Sequence, residues 1–205
     1  MMRVDHLVLA TPDPASTIAE LADATGVTPF AGGAHPGLGT RNWLVALATE
    51  DPQDRAYLEI IGPDPEQPEP ASPRPFGLDD LDRPSFAWWC ARADDLASLG
   101  TGFANPMTME RQSPEGLLQW DLAFPVELDG ATPFVIDWLD STHPSTHAPT
   151  GLILRGFTIE HPEAATCRRT LAALGDFPID VVDGERVVLR ATLAGPAGTY
   201  DLRTM

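Results

Sequence analysis

The amino-acid sequence predicts an α+β protein built from repeated βαβββ units, and three observations support this class. Short runs with strand character outnumber helical patterns across the 205 residues. One order of elements, a strand, a helix and then three strands, recurs at intervals of about 70 to 80 residues. Hydrophobic residues make up 43% of the chain and charged residues 21%, a balance typical of a globular protein with a core.

The first unit is predicted over residues 1–62. A strand in "RVDHLVLA" precedes the helical pattern "ASTIAELADATG", which we expect to end at Gly26. Three runs with strand character follow, in "TPFAGG", "NWLVALAT" and "RAYLEIIGP". The unit therefore follows the order βαβββ.

The order of elements returns twice after a linker rich in proline and acidic residues, residues 63–83. Its prolines cannot donate to a strand ladder, so we expect the linker to run extended over the surface. The second unit, residues 84–140, contains "SFAWWCARA", a short helix "DDLASLG" and three strands. The third, residues 151–205, carries the helix "EAATCRRTLAALG". We expect the first two units to form one domain over residues 1–150, a cupped mixed sheet with helices outside, and the third to pack on it.

Charge and cysteine content exclude several classes of protein. A formal charge of −17 argues against a nucleic-acid partner, because such a surface repels phosphate. No run reaches the ~18 apolar residues of a membrane span, and the first residues lack the apolar segment of a signal peptide. We therefore expect a cytoplasmic protein with no membrane partner. Cys90 and Cys167 lie in apolar segments without CxxC spacing, which predicts two buried thiols.

Three ionisable residues interrupt predicted strands on the face turned away from the helices. Side chains alternate along a strand, which sets His6 and Glu59 opposite their leucine and isoleucine neighbours. The same alternation sets Asp137 opposite Phe134 and Ile136, which are expected to pack against the helices. A buried ionisable group is costly unless it is paired, hydrogen-bonded or metal-bound. Structural hydrogen bonding and a binding site both remain open for each of the three.

The stretch "GGAHPGLGTRN", residues 32–42, joins the second and third strands of the first unit. Its glycines and proline are typical of a turn. His35, Arg41 and Asn42 add groups able to bind a ligand, and we expect this stretch to form a wall of the site with His35 and Arg41 facing inward. In the alternative, Arg41 pairs with Glu59 or with an acid of the linker.

Aromatic residues and further histidines admit both structural and binding roles. Most of the tryptophans concentrated in the second unit should be core, and one or two, Trp89 among them, could line a ligand pocket. His143 and His147 lie in a connection rich in serine, threonine and proline, and we expect both to be solvated.

The motifs "DHLVLATPD" and "AYLEIIGPD" resemble the vicinal oxygen chelate superfamily, which includes glyoxalase I, extradiol dioxygenases and the bleomycin- and fosfomycin-resistance proteins. The stretches "HPGLGTRN", "YLEIIGPDPEQP", "PFGLD" and "PFVIDWLDSTHP" resemble its bacterial glyoxalase-like branch. In that superfamily, metal ligands come from the first and last strands of each unit. The resemblance thus implies metal ligation by His6, Glu59 and Asp137, with His35 as a further candidate and Glu59 also as a general base. The strand "SFAWWCARA" departs from the pattern, because it supplies no histidine.

The resemblance implies two functions of different kinds. One is a metal-dependent lyase, isomerase or dioxygenase that acts on a small oxygenated metabolite and holds Zn, Mn, Fe, Co or Ni. The other is a metal-free protein that binds or sequesters a small molecule, as the resistance proteins do, with His35, Arg41, Asn42 and Trp89 around the ligand. A homodimer is compatible with both.

Overall fold

The computed structural model describes residues 2–49, 55–113 and 116–205. The first group of elements consists of β1 (Arg3–Ala10), α1 (Pro14–Thr25), β2 (Phe30–His35), β3 (Thr40–Ala48) and β4 (Ala56–Pro63). The second consists of β5 (Ser85–Arg92), a 3-10 turn (Leu96–Ser98), β6 (Met107–Ser113), β7 (Gly116–Ala123) and β8 (Phe134–Asp137). The third consists of β9 (Leu152–His161), α2 (Ala164–Leu174), β10 (Asp180–Asp183), β11 (Val188–Ala194) and β12 (Thr199–Arg203). The predicted α+β class with repeated βαβββ-like units is confirmed.

The short helix expected in the second unit is present as a single 3-10 turn and not as an α-helix. The carboxylate of Asp95 accepts a hydrogen bond from the backbone N–H of Ala97 at 2.9 Å and starts the turn. Gly100 and Gly102 follow almost at once, and glycine opposes extension into an α-helix. The segment therefore closes after three residues.

Helix α1 has the boundaries that its sequence predicts. The Asp13 carboxylate caps the N-terminus by accepting from the backbone N–H of Ser16 at 3.1 Å, and Pro14 occupies the first turn. Gly26 ends the helix in the left-handed conformation, with φ of 75°, and donates its N–H to Ala22 O at 2.8 Å. Leu21 turns the apolar face of the helix into the core.

The twelve strands of the described residues join one mixed sheet with the order β12-β11-β9-β3-β4-β1-β5-β8-β7-β6, while β10 pairs with β9 and β2 with β3. The first and second units join where β1 runs antiparallel to β5. The third unit joins through a short parallel pairing of β9 with β3, in which Leu47 faces Leu152 and Ala48 faces Ile153.

The sheet is cupped between β2 and β6. In a flat sheet, the eight strands from β2 through β3, β4, β1, β5, β8 and β7 to β6 would place the outer two about 34 Å apart. Instead, Nη1 of Arg111 on β6 lies 2.5 Å from the position that a Cβ on Gly33 of β2 would occupy. The two ends of this stretch therefore meet across the inner face.

The two faces of the sheet carry separate apolar clusters. On the outer face, Leu7 and Leu58 pack with Leu21 of α1 in the largest cluster. On the inner face, Val8 and Phe134 belong to a second cluster that lines the cup. The helix thus lies outside the cup, as predicted, and leaves the inner face open to a ligand.

The linker contributes to the cup as well, which corrects the expectation that it runs extended over the surface. Pro75–Asp80 form a kinked 3-10 segment in which Phe76 has φ of 61°. Leu78 is 2% exposed and packs in the inner cluster, and Phe76 lies 6.2 Å from Phe134 between ring centroids. Apolar residues between the prolines therefore draw this part of the linker over the cup.

Both cysteines are free and buried, as the sequence predicts. Neither α-helix in the described ranges has the length and apolar character needed to cross a membrane.

Candidate functional site

A cavity of about 150 Å³ lies on the inner face of the cup. A dry apolar cavity of about this volume is large enough for benzene. The polar side chains in its wall are His6, His35, Asn42, Tyr57, Glu59 and Arg111. Its aromatic side chains are Phe76, Trp120, Phe124, Phe134 and Trp138. The site therefore suits a compact ligand with an apolar body and a few polar groups.

His6 and Glu59 reach the cavity because β1 and β4 are parallel neighbours. Their register pairs His6 with Tyr57 and Val8 with Glu59, so all four side chains point inward. Nε2 of His6 lies 3.7 Å from Oε2 of Glu59. His6 is 4% exposed and Glu59 is 8% exposed. The two strands thus hold an imidazole and a carboxylate together in a largely buried site.

Asp5 orients the His6 ring from behind. Its Oδ1 lies 2.7 Å from Nδ1 of His6, although the two residues are adjacent in the chain. The β1–β5 register shifts between Val4 and His6, and this irregularity accompanies the unusual placement of both side chains. Since an ionised carboxylate can only accept, Nδ1 carries the proton and Nε2 faces Glu59.

Asp5 is completely buried, and its second oxygen is occupied too. Oδ2 accepts from Nε1 of Trp138 at 3.1 Å and lies 3.0 Å from Nε2 of His143. Burial acts to raise the pKa of Asp5, but hydrogen bonds from His143 and His6, with the charges of both rings, hold this pKa well below its ordinary value. Asp5 therefore remains a carboxylate inside the protein.

The expectation that His143 is solvated was wrong. It is 8% exposed, and its ring lies 5.5 Å from that of Tyr57 between centroids. The connection after β8 folds back through a 3-10 turn at Pro144–Thr146, and this turn brings His143 to Asp5.

Asn42 fixes one oxygen of Glu59. Its Nδ2 donates to Oε1 of Glu59 at 2.7 Å, and its Oδ1 accepts from the backbone N–H of Gly33 at 2.8 Å. A Cβ on Gly32 would lie 2.2 Å from that same Oδ1. The paired glycines therefore leave the space that the Asn42 side chain needs.

His35 stands on the other side of the Glu59 carboxylate. Its Nε2 lies 3.9 Å from Oε1 of Glu59, and its Nδ1 lies 3.0 Å from the hydroxyl of Thr40. Burial lowers the pKa of His35, and the nearby charge of Glu59 opposes that effect only in part. The ring is consequently neutral near pH 7.

Arg41 lies outside the cavity, contrary to the expectation that it faces inward. Since neighbouring strand residues point to opposite faces, Asn42 turns inward and Arg41 outward. Nη1 of Arg41 lies 3.7 Å from Asp64 and 3.6 Å from Glu66, and its guanidinium stacks over Trp43. The structure therefore agrees with the alternative, in which Arg41 pairs with acidic residues of the linker.

Trp89 also lies outside the cavity. It is fully buried on the outer face, where Nε1 donates to Ala131 O at 2.9 Å and the ring packs 5.5 Å from Phe157 of the third unit. Trp120 and Trp138 line the cavity instead. The sequence could not separate them, because both faces of this half of the sheet are apolar.

The face expected for Asp137 was wrong. Phe134 and Ile136 line the cavity, so the alternation along β8 turns Asp137 away from it. The Asp137 carboxylate accepts from the backbone N–H of Leu139 at 2.8 Å. The sequence predicts that the apolar face of this strand contacts the helices, whereas in the structure that face forms the wall of the cavity.

Three functional candidates were missed by sequence reasoning. Asp5 was visible as an acid inside the apolar strand "RVDHLVLA". Tyr57 stacks on His6 at 4.6 Å between ring centroids. The sequence indicates this residue because Tyr57 lies on the same strand face as Glu59. Arg111 shares a face of β6 with Met109, an arrangement that an exposed strand would also show.

A buried group of three possible metal ligands is formed by Asp5, His6 and Cys90, whose ligand atoms all lie within 4.8 Å of one another. This group suits an ion poorly. Both Asp5 oxygens are hydrogen-bonded, and burial raises the pKa of the Cys90 thiol well above 9.0, which keeps it protonated.

His6 and Glu59 form a better pair of metal ligands. The 3.7 Å between Nε2 and Oε2 is close to the roughly 3.4 Å that separates two ligands of a tetrahedral ion at ~2.1 Å. Metal-binding histidines commonly donate their other N–H to a carboxylate, as His6 does to Asp5. Phe134 and Ile136 on the facing wall carry no ligand atoms. The residues thus fit two positions of an ion and leave the others to a ligand or water.

The model of one protein family, described as "Glyoxalase-like domain", matches residues 4–175. Among solved structures, a variant of methylmalonyl-CoA epimerase from Streptomyces coelicolor, in complex with 2-nitronate-propionyl-CoA, is 14% identical with a TM-score of 0.48. That match covers 68% of this chain and 98% of that chain. A methylmalonyl-CoA epimerase in complex with methylmalonyl-CoA and NH4+ is 13% identical with a TM-score of 0.48, and the match covers 70% and 99%. The epimerase from Mycobacterium tuberculosis is 16% identical with a TM-score of 0.43, covering 68% and 88%. No curated protein matches the chain.

Proposed function

The chain belongs to the glyoxalase-like domain family, and we propose that it is a lyase or isomerase that moves a proton on a small oxygenated metabolite, with Glu59 as the base. One observation carries this proposal. Glu59 is a nearly buried carboxylate in the cavity wall, with one oxygen fixed by Asn42 and the other turned towards His6.

Glu59 has the surroundings of a general base. The bond from Asn42 engages Oε1 and fixes the orientation of the carboxylate, so Oε2 is the oxygen that takes a proton from a carbon next to a carbonyl. The dry wall strengthens electrostatic interactions with charge that develops on the ligand. Ring-cleaving oxidation has less support, because proton transfer needs only the base and donors already in the wall.

His6 supplies the second polar group. Because Asp5 holds the proton on Nδ1, Nε2 either accepts a proton from the ligand or holds a divalent ion together with Glu59. An ion of Zn, Mn, Fe, Co or Ni, when bound, would polarise a carbonyl oxygen of the ligand. Asp5 would then fix the orientation of its histidine ligand.

Proton exchange tests the base directly. Full-length protein is incubated in D2O with a panel of small 2-oxo acids, and deuterium at the carbon next to the carbonyl is followed by NMR. We expect wild-type protein to accelerate exchange for at least one compound. Glu59→Gln should lower that rate by about 100-fold or more. Asp137→Asn, outside the cavity, should leave it unchanged, and equal rates in Glu59→Gln and wild type would contradict the proposal.

Metal content tests the role of the ion. Protein purified without chelator is analysed for transition metals, and its melting is measured with added Zn2+, Mn2+ and Ni2+. We expect about one bound ion per chain, lost in His6→Ala and kept in His161→Ala, since one ion needs both His6 and Glu59. Absence of metal and of any metal-dependent shift in melting would refute metal dependence.

A metal-free binding protein is the second candidate, and the facing wall favours it. Phe134 and Ile136 stand where the second unit would supply ligands, and Trp120 and Trp138 add aromatic surface. Tryptophan fluorescence of chelator-treated protein separates the two functions. Tight binding without proton exchange would support this candidate, whereas exchange that depends on Glu59 would exclude it.

A further inference from the structure

We propose that Arg111 is the anion-recognition residue of the cavity, and that the ligand is a compact aromatic or apolar molecule with a carboxylate or another oxyanion. The inference deepens the proposed function, on which it rests for the choice of site, by naming the class of molecule that the site takes.

The side chain of Arg111 points into the cavity because residues alternate faces along β6. Gly33 on β2, across the cavity, leaves space for it. Met109 and Arg111 line the cavity, while Glu110 between them bonds to Gln119 at 3.1 Å. The guanidinium lies across Gly33, where a Cβ would come 2.5 Å from Nη1 and 2.9 Å from Cζ. Glycine at position 33 therefore gives the guanidinium its place over the site.

The charge of Arg111 is left for a ligand. Among the described residues that line the cavity, it is the one arginine or lysine. No carboxylate of the described residues lies within 4.0 Å of its guanidinium, whereas Arg41, Arg74 and Arg190 all form ion pairs. A protein with a formal charge of −17 repels anions, so an anionic ligand needs a local cation such as this one.

The position of Arg111 suits a ligand that is apolar at one end and charged at the other. Arg111 lines both the inner cavity and a wider neighbouring groove formed with Leu117 and Leu139. An oxyanion held there keeps part of its hydration, which limits the cost of burying its charge. A guanidinium presents paired N–H donors that match a carboxylate.

The aromatic inner part of the cavity favours a ligand with an apolar body. Trp120 and Trp138 lie 5.9 Å apart between ring centroids, and Phe124 stacks on Phe134 at 5.5 Å. With a volume of about 150 Å³, the space between these rings suits one six-membered ring. A ring carrying one carboxylate is thus the simplest molecule that meets both features.

Matched probes test the inference. Binding of benzoate and benzamide to the full-length protein is measured by tryptophan fluorescence and calorimetry, since the two differ only in charge at one end. We expect benzoate to bind about tenfold more tightly than benzamide, as a charge-assisted bond to Arg111 predicts. Arg111→Met should abolish this preference, Arg111→Lys should keep part of it, and Arg155→Met on the exposed surface of the third unit should keep all of it.

A second variant guards against loss of folding. Gly33→Ala places a methyl group where the guanidinium lies, and should weaken benzoate without changing benzamide. Gly156→Ala serves as its control, because a Cβ there meets nothing within 4 Å. Thermal melting is recorded for every variant.

Three outcomes would overturn the inference: no binding of benzoate, equal binding of benzoate and benzamide, or a preference that survives in folded Arg111→Met. The proposed function fails separately. A benzoate preference that depends on Arg111 without any proton exchange would refute the function alone, and proton exchange without that preference would refute the recognition alone.

Discussion

Nδ1 of His6 lies 2.7 Å from Oδ1 of Asp5, while Nε2 of the same ring lies 3.7 Å from Oε2 of Glu59. One imidazole thus stands between two carboxylates, one fully buried and one in the cavity wall. The buried partner decides which nitrogen faces the ligand, so a residue that never lines the cavity controls the chemistry inside it.

Asp5→Asn should damage both stability and the site. The amide N–H would face either the N–H of His6 at the Oδ1 position or the N–H groups of Trp138 and His143 at the Oδ2 position, and would leave them without an acceptor. We expect a loss of about 3 kcal/mol or more in the free energy of unfolding. Affinity for a divalent ion should fall by about 10- to 100-fold, because His6 loses its orienting partner.

Denaturant melts and metal titrations check the effect of Asp5→Asn. Asp137→Asn is the control, since its carboxylate bonds only to a backbone N–H near the end of β8 in the part of the chain described. Loss of the Asp137 carboxylate should leave the affinity for a divalent ion unchanged. A folded Asp5→Asn protein with wild-type metal affinity would rule out a positioning role for Asp5.

Asn42→Ala should lower the proton-exchange rate more than it lowers stability. The variant frees Oε1 of Glu59 to rotate and to bind water, which weakens the carboxylate as a fixed base. A lost hydrogen bond to a charged group costs about 1.5–3 kcal/mol, or about 10- to 150-fold in rate if it is lost at the transition state. NMR exchange rates compared with those of Asn105→Ala, on an exposed loop, measure this effect, and equal rates in the two variants would argue against it.

Gly32→Ala should produce the same loss of rate as we expect for Asn42→Ala, without altering any polar group. A Cβ at position 32 would lie 2.2 Å from Oδ1 of Asn42 and must displace that side chain. Proton exchange should therefore fall, while Gly156→Ala leaves it unchanged. Full activity of Gly32→Ala would show that the wall accommodates the methyl group by moving elsewhere.

Stability should fall as the pH rises above about 9. Burial raises the pKa of Cys90 well above 9.0 and that of Tyr57 well above 10.0, so the folded protein retains protons that the unfolded chain releases. Stabilisation from these groups is complete below their ordinary pKa values and is lost at higher pH. Urea melts from pH 8 to 11 should show this slope.

Cys90→Ala should flatten the alkaline slope more than Cys167→Ala does. Burial raises the pKa of Cys167 to about 11, so this thiol begins to ionise in the folded protein within the range of the melts, whereas the side chain of Cys90 is fully buried. The comparison uses slopes because removing either side chain also leaves a small cavity. Identical slopes in Cys90→Ala and wild type would contradict the assignment.

Element order and the inward direction of His6 and Glu59 could be predicted from sequence, because each lies on the strand face opposite its leucine and isoleucine neighbours, which pack under the helices. Asp137 and Trp89 could not be placed, since an apolar strand face looks the same whether it meets a helix or an apolar cavity. Phe76 was hidden in a linker whose prolines dominate its local pattern. The position of Arg111 in the cavity depends on the curvature of the sheet, which arises from many strands together and cannot be predicted from any short stretch.

The stretch "GGAHPGLGTRN" contributes to the site largely through atoms that it lacks. Gly32 and Gly33 leave space for the side chains of Asn42 on β3 and Arg111 on β6. Because neither glycine has a Cβ, those side chains can occupy their observed positions. Ligand preference can therefore be changed by single carbon atoms at these two positions without replacing Glu59 or Arg111 in the sequence. For redesign, substitution at Gly32 would change the surroundings of the base Glu59, and substitution at Gly33 would change the position of the cationic Arg111.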